Sequence, residues 1–348
     1  MRLGVFLPNW IGDVVMATPA IRALRKLVER ERGRLVGVMR PYVADVLGGS
    51  CWFDDVIYYD KPNRGFTLGT RDLYQALRQA ELDRVVLLTN SLRTAWMAWR
   101  SGARQRIGYC GDMRAWLLTT RLRRERPELP TIDGYLKLAA AAGADFEPPR
   151  LELATTDADE AAADRVWQRL GLPPGKRVVV LNTGAAYGAA KQWPVEHCAA
   201  LARRLASEAH VSVLVNCGPA EREVAREVVA RAAHRGVVGL AGFDELPIGL
   251  TKASVRRSRL VVSTDSGPRF FGVAFGKPVV ALFGPTDPRA TATHYDREVS
   301  LSLGLDCQPC RARSCPLVHH RCMRELTVDR VFDAVLRALQ HEPVRGAA

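Results

Sequence analysis

The residues best placed to do chemistry sit in three polar turns, each directly behind an apolar run. In Leu260-Val261-Val262-Ser263-Thr264-Asp265-Ser266-Gly267-Pro268 a strand-like run ends in a polar turn that opens a helix. Backbone N–H groups at a helix start, with the positive end of the helix dipole, suit a pyrophosphate. Asp265, Ser266 and Gly267 are then ligand contacts, although Asp and Ser in this position also read as ordinary N-caps. The second turn is Leu181-Asn182-Thr183-Gly184-Ala185-Ala186-Tyr187-Gly188-Ala189-Ala190-Lys191. Its glycines let backbone amides approach an anion, and Lys191 brings a positive charge to the loop's end. It is not a Walker loop, because the G-x-x-x-x-G-K-[ST] spacing is absent. No G-x-G-x-x-G follows the first strand either, which disfavours a dinucleotide dehydrogenase. The third turn, Asn9-Trp10-Ile11-Gly12-Asp13-Val14-Val15-Met16-Ala17-Thr18-Pro19, puts a carboxylate where the first strand meets the first helix. Gly12 allows an acceptor near the backbone, and Asp13 could take a proton from an attacking hydroxyl; helix capping is the alternative.

These turns need a scaffold of parallel strands with helices between them, and the sequence provides that rhythm from end to end. In the first half the strand runs are Leu3–Leu7, Leu35–Met39, Val56–Tyr59 and Val85–Leu88. Val14, Ala17, Ile21, Leu24 and Val28 recur at helical spacing, as one buried helix face requires. Ala158–Leu170 reads as a helix, and the punctuation Gly171-Leu172-Pro173-Pro174-Gly175 marks a boundary. The rhythm restarts with strands Arg177–Leu181, Val211–Val215, Leu260–Ser263 and Val279–Phe283, joined by helices near Pro194–Ser207, Ala220–Ala232 and Pro268–Phe275. The expected class is α/β, with two doubly wound Rossmann-like domains facing each other across a cleft. A first domain would span 1–170 and a second 171–326. A final helix, Thr327–Leu339, and a frayed tail, Pro343–Ala348, make up 327–348 and are expected to pack back on the first domain. Ligands of such sheets bind at the carboxyl ends of the strands.

The 348 residues are enough for two cores, and 47% hydrophobic with 25% charged residues is ordinary globular usage. No apolar run approaches the roughly 20 residues needed to cross a bilayer. Trp10, Gly12 and Asp13 interrupt the apolar start before any cleavage site, so the N-terminus reads as a strand and the protein as cytoplasmic. A net charge of +13 points to an anionic partner. Nucleic acid is not expected, since no zinc-finger spacing, RNP-like strand or basic heptad region is present. Phosphorylated glycolipid and an anionic membrane surface fit the charge equally. Arg100, Arg104, Arg106, Arg114, Arg121, Arg123, Arg124 and Arg126 cluster with Trp96, Trp99 and Trp116, either as an anion-binding face or as a solvated basic one. Cys307, Cys310, Cys315 and Cys322, spaced C-x2-C-x4-C-x6-C, could close a structural zinc site or remain free thiols.

Five stretches in one order resemble the heptosyltransferases of lipopolysaccharide core assembly, glycosyltransferase family 9, especially the heptosyltransferase II branch. They are Gly12-Asp13-Val14 with Thr18-Pro19; Asn90-Ser91-Leu92-Arg93-Thr94-Ala95; Arg106-Ile107-Gly108-Tyr109; Lys191-Gln192-Trp193-Pro194; and Asp265-Ser266-Gly267 followed by Lys277-Pro278-Val279-Val280-Ala281-Leu282-Phe283-Gly284-Pro285. The resemblance implies a GT-B fold and inverting transfer of heptose from ADP-L-glycero-β-D-manno-heptose to an inner-core heptose, with no metal cofactor in catalysis. It makes Asp13 the general base, Lys191 the phosphate-binding lysine, and Thr183 and Gly184 the phosphate loop. Asp265, Ser266 and Gly267 become the donor-contacting turn. Glu221 is expected at the ribose and Leu240–Phe243 by the adenine. Gly12, Asn90, Ser91, Arg93 and Arg106 are expected at the acceptor, an anionic lipid-linked core glycan, with peripheral contact at the inner face of the inner membrane. Where the family usually carries a histidine this chain has Phe270, and Arg269 is expected to supply positive charge to the donor instead. A related transferase with another nucleotide-sugar or acceptor, and a degenerate nucleotide-binding scaffold, are the alternative readings.

Overall fold

The computed structural model describes residues 1–60, 70–125, 130–173, 177–184 and 187–340. The chain forms two compact units, Met1–Ala154 with Ala290–His294, and Thr155–Arg289 with the chain from Tyr295 onward. The division therefore falls ahead of the Gly171 loop. The helix before that loop carries Thr156 as its capping residue, and it belongs to the second unit.

In the first unit the elements run β1 (Arg2–Phe6), α1 (Ile11–Met16), α2 (Thr18–Arg30), β2 (Arg34–Met39), α3 (Pro41–Leu47), β3 (Asp55–Tyr58), α4 (Thr70–Gln79), β4 (Arg84–Leu87), α5 (Leu92–Arg100), β5 (Gln105–Tyr109), β6 (Thr120–Leu122) and α6 (Thr131–Ala141). The strands form a parallel sheet in the order β3-β2-β1-β4-β5-β6. Val14, Ala17, Ile21, Leu24 and Val28 are all buried, as their spacing requires. The helix they imply is nevertheless split at Ala17, ahead of Pro19, and Thr18 Oγ1 bonds the Val15 carbonyl at 2.8 Å there.

The second unit comprises α7 (Asp157–Arg169), β7 (Val178–Asn182), α8 (Val195–Ser207), β8 (Ser212–Asn216), α9 (Arg222–Ala232), β9 (Val237–Gly239), α10 (Ile248–Arg257), β10 (Leu260–Thr264), α11 (Gly267–Ala274), β11 (Val279–Leu282), β12 (Glu298–Leu301), α12 (Arg321–Arg324) and α13 (Val328–Gln340). Its sheet is also parallel, in the order β12-β11-β10-β7-β8-β9. Counted from each unit's first strand, both sheets follow 3-2-1-4-5-6, the Rossmann order. Strand order reverses between β1 and β4 in one sheet and between β7 and β10 in the other. In open sheets of this kind ligands bind outside the carboxyl ends of the strands at such a switch point.

Helix α7 is held to α10 by buried Trp167, whose Nε1 donates to Ser254 Oγ at 3.2 Å, and by Glu160, which pairs with Arg257 at 2.6 Å. That packing explains why the boundary precedes it. Helix α13 buries Val331, Phe332 and Val335 against α8 and β11 and is grouped with the second unit. Arg204 of α8 fixes it, pairing with Asp329 at 2.6 Å and lying 4.0 Å from the Phe332 ring centre. The tail Pro343–Ala348 lies outside the described residues.

Candidate functional site

Because β7 and β10 are neighbours, the loops after them arrive together at the carboxyl edge of the second sheet. Asp265 lies at their junction with its side chain 5% exposed. Its Oδ2 accepts from Lys191 Nζ at 2.8 Å and its Oδ1 from Arg269 Nη1 at 2.8 Å. Lys191 also donates to the Asp265 carbonyl at 2.7 Å. Burial alone would push the Asp265 pKa up, but Arg269 and Lys191 beside it hold it below the ordinary carboxylate value. Arg269 is itself buried, pairs onward with Glu298 of β12, and lies 4.7 and 4.8 Å from the ring centres of Phe270 and Phe283. Its charge is thus engaged inside the unit, and Phe270 is a buried platform beneath it.

Neither Asp265 nor Ser266 caps α11 through its side chain. Ser266 Oγ instead lies 3.0 Å from Ser263 Oγ and accepts from Asn182 Nδ2 at 3.1 Å. Asn182 in turn accepts from Asn216 Nδ2 at 2.8 Å, and Asn216 accepts from Thr251 Oγ1 at 3.0 Å. This buried polar chain crosses the ends of β10, β7 and β8 and fixes the first turn of α11 against its neighbours.

Thr264 Oγ1 donates to the Gly184 carbonyl at 3.0 Å. A side chain at Gly184 would place its Cβ 2.5 Å from both Glu221 carboxylate oxygens and so would displace Glu221 from this position. Glu221 is oriented by the Gly218 N–H, which donates to Oε2 at 2.8 Å. Arg222 binds the carbonyls of Ala241 and Asp244 at 3.1 and 2.7 Å, which draws the Leu240–Phe243 segment to the start of α9. Thr183 is buried, and its hydroxyl has no hydrogen-bond partner among the described residues. Lys191 Nζ sits 4.7 Å from the Tyr187 ring centre, and Tyr187 Oη donates to the Arg311 carbonyl at 2.6 Å. Gly188, at φ 154°, presses on the Arg313 carbonyl where a Cβ would clash. Ala185 and Ala186 lie outside the described residues.

In the first unit β1 and β4 are paired, and Asp13 and Asn90 follow them, Asp13 in α1 and Asn90 in the loop before α5. Asp13 is the third residue of α1, behind the N-cap position of Trp10, and therefore is not the cap. It lines a cavity of about 360 Å3 with Asn90, Tyr109, Arg123, Arg124, Tyr135 and Lys137. Burial, then the charge of Asp13, keeps the Tyr135 phenol well above its ordinary pKa and so protonated. Arg114 is fully buried and donates to the Thr89 carbonyl at 2.6 Å, the Tyr109 carbonyl at 2.7 Å and Asn90 Oδ1 at 3.0 Å. It therefore positions Asn90 and is not part of a basic surface.

Other expected acceptor residues have structural posts. Arg106 donates to the Leu117 and Ala103 carbonyls at 2.7 and 2.5 Å and does not line the cavity. Ser91 caps α5 by accepting from the Thr94 N–H at 3.2 Å. Arg93 reaches the Asp60 carbonyl at 3.1 Å, and Gly12 stands beside Asp13 in α1. Arg126 lies outside the described residues. Tyr135 and Lys137, on α6, have no counterpart in the sequence reading, where polar positions on an amphipathic helix look like a solvent face.

Among the described residues no group of three or more His, Cys, Asp or Glu side chains is placed to hold a metal ion. Cys310 is exposed, Cys322 is buried, and Cys315 Sγ accepts from the His320 N–H at 3.4 Å. Burial, then the neighbouring Cys307, Cys310 and Cys315, push the Cys322 thiol up to about 11. No helix among the described residues is long and apolar enough to cross a membrane.

The sequence model of Glycosyltransferase family 9 (heptosyltransferase) matches residues 70–320. The lipopolysaccharide heptosyltransferase 2 of Escherichia coli K12 is 26% identical over 357 residues, covering 98% of this chain and 99% of its own. A lipooligosaccharide heptosyltransferase 2 of Campylobacter jejuni is 25% identical over 349 residues, covering 98% and 99%. Among solved structures, a family 9 glycosyltransferase of Veillonella parvula superposes with a TM-score of 0.81 at 22% identity, over 97% of each chain. The E. coli ADP-heptose LPS heptosyltransferase II gives 0.79 at 22%, over 97% and 98%. The E. coli heptosyltransferase WaaC with ADP-2-deoxy-2-fluoro heptose gives 0.67 at 17%, over 97% and 99%. Two Rossmann-ordered sheets with loops converging at each switch point are the GT-B architecture of these structures. The family match spans most of the chain and includes the Lys191 and Asp265 loops, and on that ground this chain belongs to glycosyltransferase family 9 (heptosyltransferase) and is a glycosyltransferase enzyme.

Proposed function

We propose that the chain transfers heptose from ADP-L-glycero-β-D-manno-heptose to a heptose of the lipopolysaccharide inner core, in one inverting displacement with no catalytic metal. The observation that carries this reading is the Lys191–Asp265–α11 junction at the switch point of the second sheet. An ammonium has three N–H donors, and the two Asp265 oxygens engage two of them. The third donor and the Gly267 N–H at the positive end of α11 are suited to a diphosphate. Glu221 and the Leu240–Phe243 segment, brought together by Arg222, would hold the nucleoside. In the first unit the cations Arg123, Arg124 and Lys137 suit the anionic groups of a core glycan, next to Asp13.

In this scheme Asp13 removes the proton of the acceptor hydroxyl as its oxygen bonds to the anomeric carbon. The bond from that carbon to the diphosphate breaks on the opposite face, and ADP departs with the bonding electrons. Charge developing on the leaving phosphate is met by Lys191 and α11, groups already fixed before reaction. The relatives' names support the donor and acceptor classes: ADP-heptose and LPS for the E. coli enzyme, and lipopolysaccharide or lipooligosaccharide for several others. Thermal-shift titration against ADP-, GDP- and UDP-sugars tests the donor. ADP-heptose should raise the melting temperature; stabilisation by a guanine or uracil nucleotide-sugar alone would overturn the reading.

A further inference from the structure

Helix α5 buries Thr94, Ala95, Met97 and Ala98 and turns a second apolar face outward. Leu92, Trp96 and Trp99, at i, i+4 and i+7, share that outer face and are 39, 38 and 42% exposed. Trp116, in the short turn Ala115–Leu117, is 62% exposed and stands edge-on to Trp96 with ring centres 6.4 Å apart. Trp96 and Trp99 are in tilted contact at 4.8 Å. Met113, beside the same turn, is 84% exposed. Single exposed apolar residues need no account, but a contiguous aromatic patch in water marks a binding surface. Arg93, Arg100 and Arg104 flank it on α5 and the segment after it, and Asp112 is the acid next to Met113. Arg100 lies 5.1 Å from the Tyr74 ring centre, so its stem follows apolar surface toward the patch edge.

We propose that this face docks the protein on an anionic phospholipid bilayer, with Trp96, Trp99 and Trp116 in the headgroup layer. Tryptophan is favoured at that depth because its ring is apolar and its N–H needs a polar partner. Arginines at the rim meet the negative surface of anionic lipid, and the net charge of +13 adds long-range attraction. The inference does not depend on which sugar the enzyme transfers.

The test is flotation of the full-length protein with phosphatidylcholine vesicles with or without phosphatidylglycerol, together with tryptophan emission. Wild type should float with the anionic vesicles, shift its emission to the blue, and release at high salt. Trp96→Ala/Trp99→Ala/Trp116→Ala should melt like wild type, since these rings are solvent-facing, yet lose binding on the order of 30-fold. Arg104→Glu should weaken it several-fold and flatten the salt dependence. Equal flotation of the triple variant would overturn the proposal, as would failure of wild type to bind either vesicle. A concentration-dependent dimer abolished by the triple variant, without lipid binding, would assign the face to self-association instead.

Discussion

Arg269→Met keeps the length and apolar stem of the side chain while removing a cation from between two buried carboxylates. In the structure Arg269 is 1% exposed, and Asp265 and Glu298 are each 5% exposed. Removing one partner of such a cluster typically costs about 3–5 kcal/mol, because the remaining charges stay out of water. Phe270 and Phe283 still pack on the methionine, so the loss should lie near the lower end. At about 2–4 °C per kcal/mol for a unit of this size, the melting temperature should fall by roughly 6–12 °C. The pH dependence sharpens the test. Asp265 has a folded pKa held below its unfolded value, so its contribution is present above the unfolded pKa and is lost as pH falls through the folded one. In the variant that depression is smaller, and the gap between wild type and variant should therefore narrow as pH drops below about 4. Differential scanning fluorimetry across pH, with ADP-heptose titration at neutral pH, gives both readouts. An unchanged melting temperature with loss of ADP-heptose affinity would refute the positioning role and make Arg269 a donor contact.

Three further substitutions follow from the same geometry. Thr183→Val removes a buried hydroxyl that has no partner among the described residues, so stability should hold or rise; if that hydroxyl serves the donor, calorimetry should show affinity for ADP-heptose falling about tenfold. A drop in melting temperature with unchanged affinity would contradict this. Asn216→Leu cuts the buried chain from Thr251 to Ser266 and should cost about 2–5 kcal/mol in urea unfolding, whereas wild-type stability would show that the chain is dispensable. Lys137→Ala should raise the acceptor KM about tenfold and leave the donor KM alone; equal acceptor KM values would remove the cavity from acceptor recognition.

Most strands legible in the sequence are buried on both faces, such as Val178–Val180 and Leu260–Val262, and read as continuous apolar runs; β3, read from Val56–Tyr59, is the exception, with only Ile57 buried. Strands β5, β6, β9 and β12 are not legible, and the reason is local. β5 buries only Ile107 and Gly108, β6 and β9 are three residues long, and β12 lies at a sheet edge with Val299 and Ser300 exposed. Asp13, Lys191 and Asp265 could be picked out because each is a charged residue where a strand run ends. Their partners could not: Glu298 meets Arg269 across 29 positions and Thr251 meets Asn216 across 35, so nothing local announces either contact. Arg106 and Arg114 show the converse, since an arginine whose N–H groups are directed at oxygens inside the protein looks the same in sequence as one on a basic surface.

The central claim is that Asp13 acts on the acceptor while the second unit holds the donor, and Asp13→Asn tests it most directly. The substitution keeps size and hydrogen bonding but removes the proton acceptor. Single-turnover transfer from ADP-heptose to core glycolipid should slow by about 10^2–10^4-fold. ADP-heptose affinity measured by calorimetry on the same preparation should be unchanged. Near wild-type turnover, or lost ADP-heptose affinity in a normally folded variant, would contradict the account.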